Sequence, residues 1–179
     1  GNSGVGALDT GIGKTLQSIA TFKKLERDGL GDEGNGRFLY VCTPSLTGNF
    51  ASECHKFLND PRATIDKTDV VTYGEFANRR KANPDYAKDY IAVVFDEAQE
   101  LKNPTSGQSK AAQTLVHPRK ILLTASPMER SPLELYTLAA IANNEDINTP
   151  EGTRSVGRSS GTSVRPLVVA SWESRMTRW

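Results

Sequence analysis

Ile91-Ala92-Val93-Val94-Phe95-Asp96-Glu97-Ala98-Gln99 decides the fold. Its first five residues form an unbroken apolar run. Such a run reads as a strand buried on both faces, the habit of parallel sheets packed between helices. It stops at two adjacent acids. An isolated Asp-Glu pair is an ordinary solvated turn. At the carboxyl end of a buried strand, two carboxylates can divide the chemistry between them. Asp96 holds Mg²⁺, usually through a water, and Glu97 orients and activates an attacking water.

Working outward, the same kind of run recurs. Phe38 to Cys42 lies between Gly36 and Pro44, Val70 to Tyr73 ends at Gly74, and Ile121 to Thr124 ends near Pro127. Val5 to Leu8 reads as the end of a further strand. Helices are expected between them. One runs from Thr15 to about Asp28, stopped by Gly29; the others are Gly48–Leu58, Glu75 to about Lys81, Ser106–Val116 and Pro132 to about Asn143. Strands alternating with helices at this spacing predict an α/β fold, a mostly parallel sheet with helices on both faces. Ligands then bind at the carboxyl ends of the strands.

Two further motifs fall at such ends. Gly11-Ile12-Gly13-Lys14-Thr15 follows one expected strand and opens a helix. Glycines let the backbone wrap an anion, and the helix start aims N–H groups at it. Lys14 can reach β- and γ-phosphates, and the Thr15 hydroxyl can ligate Mg²⁺. The full phosphate-loop pattern has Gly where Leu8 stands. Thr124-Ala125-Ser126-Pro127 closes another strand with short hydroxyl residues that can report the γ-phosphate state. Three motifs in this order, each at a strand end, indicate ATP as the ligand.

The chain has 179 residues, enough for one domain or at most two small ones. No stretch approaches the roughly 20 apolar residues that span a bilayer, and no signal peptide opens the sequence, so the expectation is an intracellular protein with no membrane partner. Two cysteines, Cys42 and Cys54, are too few for a disulfide scaffold or a zinc site. The net charge of +1 conceals an asymmetry. Residues 1–151 carry 17 Lys and Arg against 20 Asp and Glu, a charge of −3, while 152–179 carry five Arg and one Glu, a charge of +4. The expected organisation is a lobe over 1–150 and a disordered or foreign Arg/Ser/Gly-rich tail over 151–179. Arg154, Arg158, Arg165, Arg175 and Arg178 with Trp172 and Trp179 offer the tail some capacity for nucleic acid. His117 is expected at the surface, Gly29 to Gly36 as a flexible loop, and Arg79-Arg80-Lys81 as a solvated helix end.

The motifs together resemble the N-terminal RecA-like lobe of the Swi/Snf-type ATPases, within superfamily two of helicases and translocases. Asp9 to Ile19 resembles the phosphate loop and following helix; Thr43-Pro44-Ser45-Leu46 with Asn49, Phe50 and Glu53 resembles the second motif, where Trp is usual at Phe50. Val71-Thr72-Tyr73 resembles the third. Asp96 to Gln99 with Leu101-Lys102-Asn103-Pro104 and Ser109-Lys110 is the most family-specific stretch. Gln99 stands for the commoner His, and Ala125-Ser126 for Gly-Thr. The resemblance implies a three-layer RecA-like P-loop domain that binds ATP and Mg²⁺ and drives movement along double-stranded DNA.

By this resemblance Thr10, Gly11, Ile12, Gly13, Lys14, Thr15 and Leu16 bind ATP, and Lys14, Asp96 and Glu97 are catalytic. Thr15 and Asp96 hold the metal; Gln99, Thr124 and Ser126 couple the site to the rest of the motor. Pro44, Ser45, Thr72, Tyr73, Lys102 and Asn103 touch DNA. A second RecA-like lobe completes the site in the full-length protein and supplies arginine fingers. No second series of strand-helix units follows residue 143, so the chain alone is expected to hydrolyse ATP weakly. The alternative is a nucleotide- or DNA-binding module without turnover. A kinase or recombinase is disfavoured by the Leu-Lys-Asn-Pro extension. The short loops favour a bacterial or phage source and hence the cytoplasm; a eukaryotic source would place the protein in the nucleus.

Overall fold

The computed structural model describes residues 4–7, 13–124 and 132–144. The expectations placed on Thr10, Gly11, Ile12, Ser126 and the 151–179 tail lie outside these residues. Among the described residues the strands are β1 (Gly4–Ala7), β2 (Phe38–Cys42), β3 (Thr68–Thr72), β4 (Ala92–Phe95) and β5 (Lys120–Thr124). They form one sheet in the order β1-β5-β4-β2-β3, and every pairing is parallel. The register aligns Ala7 with Thr124, Phe95 with Leu122, Val41 with Phe95 and Cys42 with Thr72. All the motifs therefore emerge along one edge.

Side chains of a strand point alternately to opposite faces. In β2, Leu39 and Val41 join Val93 and Phe95 of β4 in one core, while Phe38, Tyr40 and Cys42 join Ala92 and Val94 in the other. Both faces are covered, which is why the strands read as continuous apolar runs. The helices are α1 (Lys14–Leu25), α2 (Asn49–Phe57), α3 (Pro61–Asp66), α4 (Tyr73–Ala82), α5 (Gly107–Gln113) and α6 (Pro132–Asn143). Ile19 and Phe22 of α1 and Phe50 and Cys54 of α2 cover one face. Phe76 of α4, Ala111 and Ala112 of α5, and Leu138 and Ile141 of α6 cover the other. The result is a three-layer α/β/α fold, as the sequence indicated.

Four local details depart from the sequence reading. Helix α3 was not expected; Pro61 starts it, but six residues are too few to show an apolar period. His117 is 1% exposed rather than at the surface. Its Nδ1 accepts from the Arg119 amide at 3.0 Å and its Nε2 lies 2.8 Å from the Tyr90 carbonyl oxygen, which it therefore donates to. Arg80 is buried, its guanidinium directed at the carbonyls of Pro84 and Tyr86 and the Thr114 hydroxyl, while Arg79 and Lys81 stay exposed. The Gly29–Gly36 loop is anchored: Asn35 N–H donates to the Asp89 carbonyl at 2.8 Å, and a side chain at Gly34 would overlap that same carbonyl.

Candidate functional site

The acidic motif begins where β4 ends. The Asp96 amide donates to Val41 at 2.8 Å, so Asp96 continues the ladder with β2 and is held at the sheet edge, 1% exposed. Its Oδ1 accepts from the Glu97 amide at 2.9 Å, and its Oδ2 accepts from the Tyr40 hydroxyl. The Tyr73 hydroxyl donates to the Asp96 carbonyl at 2.8 Å. Burial pushes the Asp96 carboxyl above its ordinary range, and the Tyr40 and Glu97 donors oppose that rise.

Glu97 then turns sharply. Its φ of 54° and ψ of 49° lie in the left-handed region, which costs a non-glycine residue about 1–2 kcal/mol. The following short turn, Ala98–Leu101, is fastened by the buried Ser109 of α5, whose hydroxyl donates to the Leu101 carbonyl at 2.9 Å. The Glu97 carboxylate pairs with the Lys14 ammonium through Oε1 and accepts from Gln99 Nε2 through Oε2. Gln99 Oε1 accepts from the Thr124 hydroxyl at 2.9 Å. Lys14, Glu97, Gln99 and Thr124 thus form one chain of polar contacts across α1, β4 and β5. Burial alone would raise the Glu97 carboxyl, but Lys14 and Gln99 hold it below its usual range, so it is charged at neutral pH.

Helix α1 starts at Lys14, after Gly13 with φ of 98°, a conformation that favours glycine. Among the described residues no side chain caps its first amides. Free N–H groups at a helix start suit an anion. Thr15 is 8% exposed, and its Oγ1 lies 3.4 Å from the Tyr40 hydroxyl. A cleft of about 160 Å³ is lined by Gly13, Lys14 and Thr15 from α1, by Leu46, Asn49 and Glu53 from the segment after β2, and by Asp96 and Glu97. The phosphate-loop and acidic motifs, 83 residues apart in sequence, therefore share one cavity.

The strand order explains the arrangement. β5 lies between β1 and β4, so Thr124 comes up between the end of β1 and the acids after β4. On the other side, the segments after β4, β2 and β3 are neighbours. These carry Lys102 and Asn103, then Pro44 and Ser45, then Thr72. Pro44, Ser45 and Asn103 are exposed, and the Thr72 hydroxyl caps α4 by accepting from the Glu75 amide at 3.2 Å. Tyr73 corrects the sequence expectation of a DNA contact: its side chain is 3% exposed and its hydroxyl is turned into the site. Tyr40 is the residue sequence reasoning missed. Its signal was a lone hydroxyl in the apolar run Phe38–Cys42, two residues before the strand end.

This fold and this edge define a RecA-like P-loop lobe. Comparison with known proteins narrows the class. The SNF2-related domain family matches residues 63–151. The ISWI chromatin-remodeling complex ATPase CHR11 of Arabidopsis thaliana is 30% identical over 159 residues, covering 77% of this chain and 14% of that protein. The DNA repair protein RAD5A of Arabidopsis thaliana is 32% identical over 127 residues, covering 58% of this chain and 12% of that protein. The Sulfolobus solfataricus SWI2/SNF2 ATPase core, solved in complex with dsDNA, matches with a TM-score of 0.64 and 26% identity over 80% of this chain and 32% of that one. In sequence and fold the chain is thus similar to the Swi/Snf type. It spans 8–18% of the length of the curated relatives it matches. Among the described residues no helix is long and apolar enough to cross a membrane.

Proposed function

We propose that this chain is the ATP-binding lobe, over residues 1–150, of a DNA-dependent ATPase that translocates on double-stranded DNA, with residues 151–179 standing apart from the lobe. The observation that carries the reading is the meeting of Lys14 and Thr15 with Asp96 and Glu97 in a single cleft. Thr10 to Leu16 wrap the phosphates, and the Lys14 ammonium leaves Glu97 for the β- and γ-phosphate oxygens. Thr15 and Asp96 fit Mg²⁺: both offer hard oxygens, both border the cleft, and both reach the same tyrosine hydroxyl. When bound, Mg²⁺ neutralises charge developing on the phosphate oxygens. Glu97, released from Lys14, orients the attacking water. Gln99 with Thr124 and Ser126 relays the state of the site across β5. A second RecA-like lobe, in the full-length protein, closes the cleft.

DNA would lie over the neighbouring segments after β4, β2 and β3, touched by Pro44, Ser45, Thr72, Lys102 and Asn103. The charge of −3 over residues 1–151 argues for a narrow contact rather than a broad basic face. The test is calorimetric titration of Mg-ATP into the chain and into Lys14→Ala, with hydrolysis assayed with and without double-stranded DNA. Binding should vanish in the variant. Hydrolysis by the chain alone should be slow, since arginine fingers are worth about 10³–10⁵ in rate. Binding indifferent to Lys14→Ala refutes the site. Brisk DNA-stimulated turnover by this chain refutes the need for a second lobe.

A further inference from the structure

Tyr40 is 1% exposed, and its ring packs on Phe50 with centroids 4.8 Å apart, which fixes where its hydroxyl points. That hydroxyl reaches two oxygens from distant parts of the chain, Asp96 Oδ2 and, at 3.4 Å, Thr15 Oγ1. A phenol has one proton to give. The carboxylate has none, so the tyrosine proton goes to Asp96 and Thr15 donates to the phenol oxygen. The relay therefore runs from Thr15 through Tyr40 to Asp96. It turns the Thr15 proton toward the protein and leaves that oxygen's lone pairs for a cation. It also clamps one carboxylate oxygen of Asp96, while the Glu97 amide clamps the other at 2.9 Å.

We infer that Tyr40 is a positioning residue for the divalent cation, ordering the two oxygens that hold it and setting affinity for the metal–nucleotide complex without touching the nucleotide. The inference rests on the nucleotide-binding reading above. Groups that orient metal ligands contribute about 10–100-fold to metal affinity. A tyrosine that served only as core would contribute to stability and leave metal dependence alone.

The experiment titrates a fluorescent ATP analogue into the full chain in Mg²⁺ and again in EDTA, for wild type and Tyr40→Phe, which keeps the ring. The expected result is a loss of about 10–100-fold in Mg²⁺ with unchanged affinity in EDTA. Mn²⁺ uptake followed by electron paramagnetic resonance should weaken in parallel. In an Asp96→Ala background, adding Tyr40→Phe should cost less Mg²⁺ affinity than it does in wild type, only the Thr15 contact remaining to be lost. Equal losses in Mg²⁺ and EDTA, or none in either, would overturn the inference and leave nucleotide binding standing. Wild type that binds no nucleotide in either condition would sink both. Should Tyr40→Phe unfold, the wild-type near-ultraviolet tyrosine spectrum decides: adding Mg²⁺ to the nucleotide-bound chain must perturb it, and a flat difference spectrum overturns the role.

Discussion

Glu97→Gln separates the two duties of the acidic motif. Without nucleotide, the Glu97 carboxylate occupies the Lys14 ammonium, so a phosphate must displace it. The side chains are 23% and 9% exposed, so the pair is only partly screened. Two unit charges about 4 Å apart at an effective dielectric near 20 attract by about 4 kcal/mol. Desolvation offsets much of this, and hydrogen bonds to charged groups net about 1.5–3 kcal/mol. Glutamine retains a weaker contact and removes a negative charge from beside the phosphates. Mg-ATP should therefore bind Glu97→Gln tighter by about 1–2 kcal/mol, or roughly 5–30-fold. Any DNA-dependent hydrolysis should fall by about 10²–10⁴, the usual worth of a general base. Fluorescent-nucleotide titration measures the first effect and phosphate release the second. Unchanged or weaker binding would refute the competition for Lys14, and undiminished hydrolysis would refute the role of Glu97.

Two further outcomes concern the scaffold. Phe22 is fully buried and stacks on Phe38 with centroids 4.2 Å apart, so Phe22→Ala should cost about 3–5 kcal/mol in urea unfolding. Lys120 is fully buried, its Nζ donating to the Leu115 carbonyl at 2.8 Å, and burial pushes it down to about 7 from its ordinary 10.5. Between those values the unfolded chain binds the extra proton, so Lys120 should make stability rise with pH across that window by about 1.4 kcal/mol per unit. Lys120→Met should flatten the rise; an identical slope in the variant would show that other groups titrate there.

Much of the site was legible because its signals are local. Gly13 before Lys14 is a helix start that one stretch of sequence announces, and the apolar runs of β2 and β4 announce strands buried on both faces. The misreadings share a cause. His117 reads as a surface residue because a polar residue beside a turn usually is one, and Tyr73 reads as a DNA contact by resemblance, yet both find buried partners. His117 finds Tyr90 at a separation of 27 residues, and Tyr73 finds Asp96 at 23. Arg80 looked solvated beside Arg79 and Lys81, but a helix turns about 100° per residue and points neighbours in different directions.

The sequence by itself determined the α/β class, the three motifs and their placement at strand ends. Periodicity, glycine and the acidic pair are properties of short windows, and no long-range information is needed to read them. Only the tertiary structure decided which strand ends are neighbours. The order β1-β5-β4-β2-β3 seats Thr124 between the end of β1 and the acids, and joins Tyr40 to Asp96 across 56 residues. Such pairings follow from how crossover connections lay the strands side by side, and that packing of whole layers turns separate motifs into one cleft.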